Sequence, residues 1–291
     1  MKKIVSFLLT LALLLSLGVP ALAEEERDAL YEKGMALFLD ENYDEAYEAL
    51  KEAAEKGHAG AAFGLAMCYT AGVGVEKDES AALALLLLSR LNGYGKDEMA
   101  AWLTQYAEEG SAVVQYLAGY LYSKGSAVFE QDDEKAFRYT QMAADQHYLD
   151  AILQLGEFYY NGTAVEPDKK MAASLFQSAL EQDADNVVAK YALGLCYIDK
   201  DEDLLTERKG VKLLKEAADQ GLSDATYALA VYYDDKQEKE AFDWAMKAAD
   251  MGVPQAMYLL GLMYSTGIVV KLDLKEADRW FAKAAEAGLK F

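Results

Sequence analysis

Histidine, cysteine and proline are scarce in this chain of 291 residues, which holds two, two and three of them. Three prolines exclude collagen-like and proline-rich rods. Two cysteines cannot hold a disulfide-dense scaffold together. A zinc site needs three or four converging ligands. His58 and His147 stand far apart in sequence, each at a turn between helices, so no metal and no cofactor is expected. Positive charge is short as well, with 28 Lys and Arg against 49 Asp and Glu and a net charge of −21. That surface repels nucleic acid and anionic lipid, because binding either requires phosphates to be neutralised by basic side chains. The chain has no Gly-x-Ser-x-Gly elbow and no Gly-x-x-x-x-Gly-Lys phosphate loop. Gly72-Val73-Gly74-Val75 follows no strand and is not a nucleotide fingerprint. What the chain does have is apolar content, at 53%, which excludes a disordered chain.

The one long apolar run is N-terminal. Lys2 and Lys3 precede the apolar stretch Ile4–Val19, Pro20 ends it, and Ala21-Leu22-Ala23 has the small-x-small pattern of a cleavage site. The run falls short of the roughly 20 residues of a spanning helix, so residues 1–23 read as a secretory signal peptide cut after Ala23. Loss of Lys2 and Lys3 would leave a chain from Glu24 to Phe291, exported, without membrane insertion, and more acidic still.

That remainder is a repeat. An apolar phrase ending in an anchor aromatic recurs at Tyr69, Tyr122, Tyr159, Tyr197, Tyr233 and Tyr264, after a degenerate copy ending at Leu37. Successive anchors are roughly 31–38 positions apart, a helix-pair period, except for the longer interval between Tyr69 and Tyr122. A second phrase follows, in which an alanine stands at a fixed distance before a closing position: Ala46 to Gly57, Ala136 to His147, Ala241 to Gly252, Ala277 to Gly288. A closing glycine suits a helix C-cap, where φ is positive. Asn42 with Glu45 and Asp273 with Glu276 have capping-box spacing. Each unit is therefore a helix A and an antiparallel helix B of about 36 residues, in the range of helix-pair solenoids.

The phrases are most complete in the last unit: Leu260-Gly261, Tyr264, Gly267, Val270, Asp273, Ala277, Trp280, Lys283-Ala284-Ala285 and Gly288. This pattern resembles the Sel-one-like repeat, a relative of the tetratricopeptide repeat, and the resemblance extends over residues 29–288. It implies an all-α, right-handed solenoid of about seven helix pairs, a role in protein–protein contacts, and no catalytic residues. The long interval from Tyr69 to Tyr122 has room for an extra helix, making an irregular three-helix unit at about 59–110. Within it Ala81–Leu91 is apolar nearly all round, as in a buried helix, and Asn92-Gly93-Tyr94-Gly95 reads as an exposed turn. Insertions in solenoids often lie on a binding face; a spacer that changes curvature would look the same.

Cys68 and Cys196 share one slot in the repeat, three units apart, beyond the roughly 7 Å Cα limit for a disulfide given helix spacings of about 8–10 Å. Two buried free thiols are expected. Asp199, Asp201 and Asp203 begin like a calcium loop, but Leu204 and Gly210 stand where its glycine and glutamate belong. The tyrosines six before an anchor (Tyr31, Tyr116, Tyr191, Tyr227, Tyr258) and the recurring Trp102, Trp244 and Trp280 read as packing residues, since repeated positions pack repeated cores.

One feature departs from an amphipathic surface helix. Positions −2 and −5 from each anchor face away from the helix-B partner at about 100° per residue, yet they are mostly apolar. They are Met67, Leu117, Tyr120, Glu157, Leu195, Val231, Leu259 and Leu262. If A helices line a concave side, these residues form an apolar groove floor, interrupted at Glu157, within an acidic rim. It would suit a protein or peptide with apolar anchors and basic flanks. Burial between tightly curved repeats is the alternative. A C-terminal end with only Leu289-Lys290-Phe291 after Gly288 leaves self-association there open. The resulting expectation is an exported, non-catalytic interaction scaffold. A cell-wall (peptidoglycan) hydrolase or binder using paired carboxylates, and a weak cation-binding acidic protein, are the competing readings.

Overall fold

The computed structural model describes residues 21–125, 129–198 and 204–290. The apolar run Ile4–Val19, expected to be a signal peptide, and the acidic Asp199, Asp201 and Asp203 lie outside these residues. Among the described residues there are fifteen helices and no strand: α1 (Ala21–Leu39), α2 (Tyr43–Glu55), α3 (Ala59–Ala71), α4 (Glu79–Leu91), α5 (Lys96–Glu108), α6 (Ala112–Lys124), α7 (Asp133–Asp145), α8 (Leu149–Asn161), α9 (Lys169–Gln182), α10 (Val187–Tyr197), α11 (Leu204–Asp219), α12 (Ser223–Asp235), α13 (Glu240–Asp250), α14 (Pro254–Thr266) and α15 (Leu274–Glu286). None is long and apolar enough to cross a membrane. The chain divides into two compact units, 1–151 and 152–291. Each is a helix-pair solenoid. In the first unit α1 pairs with α2, α3 with α4 and α6 with α7; in the second, α10 pairs with α11, α12 with α13 and α14 with α15.

Two local devices build each pair. The first closes the A–B turn. Asp78, Asp132, Asp168 and Asp273 are the N-caps of α4, α7, α9 and α15, their carboxylates accepting from backbone N–H groups of the first turn. Their own N–H groups donate to the anchor carbonyls of Tyr69, Tyr122, Tyr159 and Tyr264 at 2.8–3.1 Å. One aspartate thus starts helix B and ties it to the end of helix A. Asn42 makes no such side-chain bond: its φ of −85° and ψ of 64° are not the extended cap geometry that Asp273 adopts. The side-chain cap expected of the box therefore forms at Asp273 and not at Asn42, while the reciprocal bond from Glu276 is replaced, since the Asp273 N–H donates to Tyr264 and the Glu276 carboxylate pairs with Arg279.

The second device is interlock. A glycine stands one turn before the anchor of helix A, and its filler stands one turn past the alanine slot of helix B. A Cβ on Gly34 would lie 2.7 Å from Leu50 Cγ, one on Gly194 2.8 Å from Leu214 Cγ, and ones on Gly156 and Gly261 would run into the rings of Phe176 and Phe281. Where the slot holds Ala230 the filler is the small Ala245, and both are fully buried. Helix pairs approach closely because one side's missing methyl group receives the other's bulk.

The closing position behaves as its glycines require, with φ of 91° at Gly57 and 87° at Gly252; His147 takes the same left-handed turn at 63° without that freedom.

The helix buried on all sides is α3, where every residue from Gly60 to Ala71 is buried. It packs against α1, α2, α4 and α6. Helix α4, expected to be buried, is the ordinary B partner of α3. It buries Ala81, Ala82, Leu85, Leu86 and Ser89, while Leu83, Leu87 and Leu91 are exposed. Their spacing of four keeps them on one outward stripe that no described helix covers. The extra helix of the 59–110 region is α5, which packs on α6. The turn before it is less open than expected. Gly93 is exposed, but Asn92 and Gly95 are half-buried and Tyr94 is drawn inward beside Tyr31 and Phe63, with its hydroxyl 3.3 Å from that of Tyr31. His58 belongs to the same cluster and is no plain surface residue. It stacks on Tyr31 at 4.1 Å, and its Nδ1 accepts from the Ala61 N–H at 3.1 Å to cap α3.

Cys68 and Cys196 are free and buried. Burial pushes the Cys68 thiol up to about 12. The repeated tryptophans are half-buried, Trp102 edge-on to Phe63 and Trp244 and Trp280 each under a lysine one turn on, Lys247 at 4.1 Å and Lys283 at 3.8 Å.

Candidate interaction groove

The eight residues assigned from sequence to a groove floor separate by burial. In the first unit Met67 and Leu117 are core residues, 1% and 0% exposed. Met67 lies in the all-buried α3, and Leu117 is covered where α3 and α6 pack side by side. Tyr120 is half-buried, with Lys124 Nζ 5.7 Å above its ring. In the second unit Leu259 is buried by the packing of α12 against α14, whereas Glu157, Val231 and Leu262 are exposed and Leu195 is half-buried. Met67, Leu117 and Leu259 are thus packing residues and line no open surface.

The physical reason lies in helix geometry. At 3.6 residues per turn, position −5 is rotated about 60° from position −2, toward the neighbouring A helix, and that contact closes over it. Position −6 is rotated about 40° the other way and lies one turn along the axis. In the second unit the open wedge is therefore centred on −2 and −6. Leu195 and Tyr191 supply it on α10, Val231 and Tyr227 on α12. Together with Ile198, Ala228 and Tyr232 they line a cavity of about 710 Å³. Recurrence in the sequence marks Tyr191 and Tyr227 as packing residues; both do pack against the core of the second unit, and the structure adds that they also line this cavity. Their one-turn offset from Leu195 and Val231 is the sequence signal that they share the groove face.

Charge is distributed along this cavity. Asp224, Asp235 and Glu207 line it, and among the described lining residues Lys236 is the basic one. Lys236 Nζ sits 2.7 Å from Glu207 Oε1 and 5.0 Å from the centroid of the Tyr232 ring, and the Tyr232 hydroxyl donates to the same Glu207 oxygen at 3.0 Å. These bonds hold the Glu207 carboxyl below the usual carboxylate range. At the other end burial pushes the Tyr191 hydroxyl upward, and the charges of Asp224 and Glu157 push it further. Burial raises Tyr227 as well. Among the described residues no group of three or more His, Cys, Asp or Glu is placed to hold a metal ion.

An all-helical chain of paired helices, an aspartate-closed A–B turn and a glycine interlock repeated along the sequence define a helical-repeat protein of the solenoid class. A Sel1 repeat model matches residues 112–148, 149–183, 187–222, 223–253 and 254–289. The chain belongs to the Sel1 repeat family. Residues 22–100, before the first of these matches, fit a model of plant tetratrico peptide repeats. A Sel1 repeat protein from Oxalobacter formigenes, known as a crystal structure, shares the fold with a TM-score of 0.50 and 24% identity, covering 97% of this chain and 90% of that one. Chitin synthase regulatory factor 3 of Schizosaccharomyces pombe is 28% identical over 257 residues, which is 84% of this chain and 25% of that protein. Chitin synthase regulator SKT5 of Saccharomyces cerevisiae is 30% identical over 148 residues, 46% of this chain and 20% of that protein. The chain spans a quarter or less of the length of these two relatives.

Proposed function

We propose that this protein is an exported, non-catalytic scaffold whose A-helix face in the second unit binds a protein segment with apolar anchors and basic flanks. The observation that carries this reading is the cavity of about 710 Å³ between α10 and α12, with aliphatic and tyrosine walls and carboxylates at its margin. Its size is that of a ligand site, and its mix of large apolar surface with a few charged groups is that of a recognition groove. The names of the two yeast relatives describe regulation of another enzyme, which supports a binding role. Export rests on Lys2-Lys3, the Ile4–Val19 run and Ala21-Leu22-Ala23.

Selection of short random displayed peptides on the immobilised protein tests the groove. Enrichment of sequences that no longer bind Val231→Asp, with unchanged folding, is the expected result. Binders indifferent to that substitution, or no binders to the folded protein, would refute it. N-terminal sequencing of the protein from its own host tests export: Glu24 is expected as the first residue, and an intact Met1 would contradict it.

A further inference from the structure

The groove holds a cation of its own, and the way it does so shows how it would hold a second. At the α11 end Lys236 has its ammonium over the Tyr232 ring at 5.0 Å and on the Glu207 carboxylate at 2.7 Å. A ring face and a carboxylate are together the usual kit for an alkylammonium or guanidinium group. The same kit recurs at the opposite end. Tyr191 and Tyr227 line the cavity there, with Asp224 beside them. Asp224 is close enough for its charge to act on the Tyr191 hydroxyl, as is Glu157 from α8. Among the described residues no basic side chain lines that end, and Asp224 forms no ion pair. Between the two ends lie Leu195, Ala228 and Val231, an apolar floor on which a cationic side chain would gain nothing.

Accepting the groove as the binding surface, we propose that Tyr191, Tyr227 and Asp224 form the specificity subsite for one lysine or arginine of the bound segment, with an aliphatic neighbour of that residue seated on Leu195 and Val231. The occupant is a peptide segment of a partner protein, because a lone amine could use the ring-and-carboxylate end but would leave the apolar floor unfilled. Charge complementarity favours it: the lining cation Lys236 is already tied to Glu207, so the rest of the margin presents acid.

The test uses the full chain and peptides recovered from the random displayed library. Each peptide is compared with an analogue in which lysine is replaced by norleucine, or arginine by citrulline, against wild type, Asp224→Asn, Tyr227→Leu and Val231→Asp. Enriched peptides should carry a basic residue at a fixed offset from an aliphatic one. Removing its charge should weaken binding about tenfold, and Asp224→Asn should cost the same about tenfold for the charged peptide and almost nothing for the neutral analogue. Tyr227→Leu, which keeps the cavity apolar, should weaken the charged peptide more than the neutral one. If peptides bind and are lost in Val231→Asp, yet show no basic preference or ignore Asp224→Asn, the subsite is refuted while the groove stands. If nothing binds the folded protein, or binding survives Val231→Asp, the groove falls and the subsite with it.

Discussion

At the scale of the residue, His147 and His58 occupy positions where their chemistry is held against its preference. His147 stands in a closing slot that is glycine at Gly57, Gly252 and Gly288, with φ of 63°. His147→Gly should therefore raise stability by about 0.5–1 kcal/mol, read from chemical denaturation, since it removes a left-handed strain at an exposed site. No change, or a loss, would show that the turn is not strained. His58 caps α3 through an Nδ1 that must stay unprotonated to accept the Ala61 N–H. Burial lowers its proton affinity below the usual histidine value of 6.5, with Arg27 acting in the same direction and Asp28 opposing. The unfolded chain then binds more protons than the folded one below about pH 6.5, so this contribution is complete above that pH and is lost progressively as pH falls. His58→Asn keeps a cap without a titrating ring, and should remove a share of the acid destabilisation worth about 1 kcal/mol. Identical pH–stability curves for the two proteins would contradict this. The closing slot is visible in the sequence because its spacing is fixed. The stacking of His58 on Tyr31 is not, because it joins residues from different helices.

At the scale of the element, the interlock and the outward stripe of α4 make opposite demands. Gly261 faces the Phe281 ring with no room for a Cβ. Gly261→Ala should cost about 1–3 kcal/mol in thermal or denaturant unfolding, the usual penalty of overpacking. A near-neutral result would mean that α14 and α15 do not approach as closely as described. On α4, Leu85 is fully buried and Leu87, two positions on, is exposed. Leu87→Glu should change stability by less than about 1 kcal/mol, whereas Leu85→Glu should abolish cooperative folding. Equal damage from both would restore the buried-helix reading. Apolar periodicity alone does not distinguish these faces, because every residue of α4 other than Glu79 and Arg90 is Ala, Leu or Ser and the stripe carries no polar mark. The A–B hairpins, by contrast, are legible in detail: anchor, glycine and aspartate each have a local backbone role, and local roles leave fixed spacings.

At the scale of the whole molecule, recurrence makes the repeat legible in the sequence and hides part of the groove. Recurrence marks Tyr191 and Tyr227 as packing, while a neighbouring A helix buries Leu259 and the face of the two tyrosines stays open. Which side of a helix a neighbour covers depends on superhelical packing, and one sequence does not record it. The net charge of −21 has a consequence at this scale. Binding of a basic segment should weaken steadily between low and physiological salt, as screening shortens the reach of the acidic margin, and salt-independent affinity would count against it. The most direct measurement of the groove places a photo-crosslinking benzophenone residue at Val231 in the protein within its own host, with the same residue at exposed Lys212 as control. The predicted result is a discrete adduct from Val231, mapped to a partner segment bearing a lysine or arginine beside aliphatic residues, and none from Lys212. No adduct at Val231, or the same adducts from both sites, would contradict it.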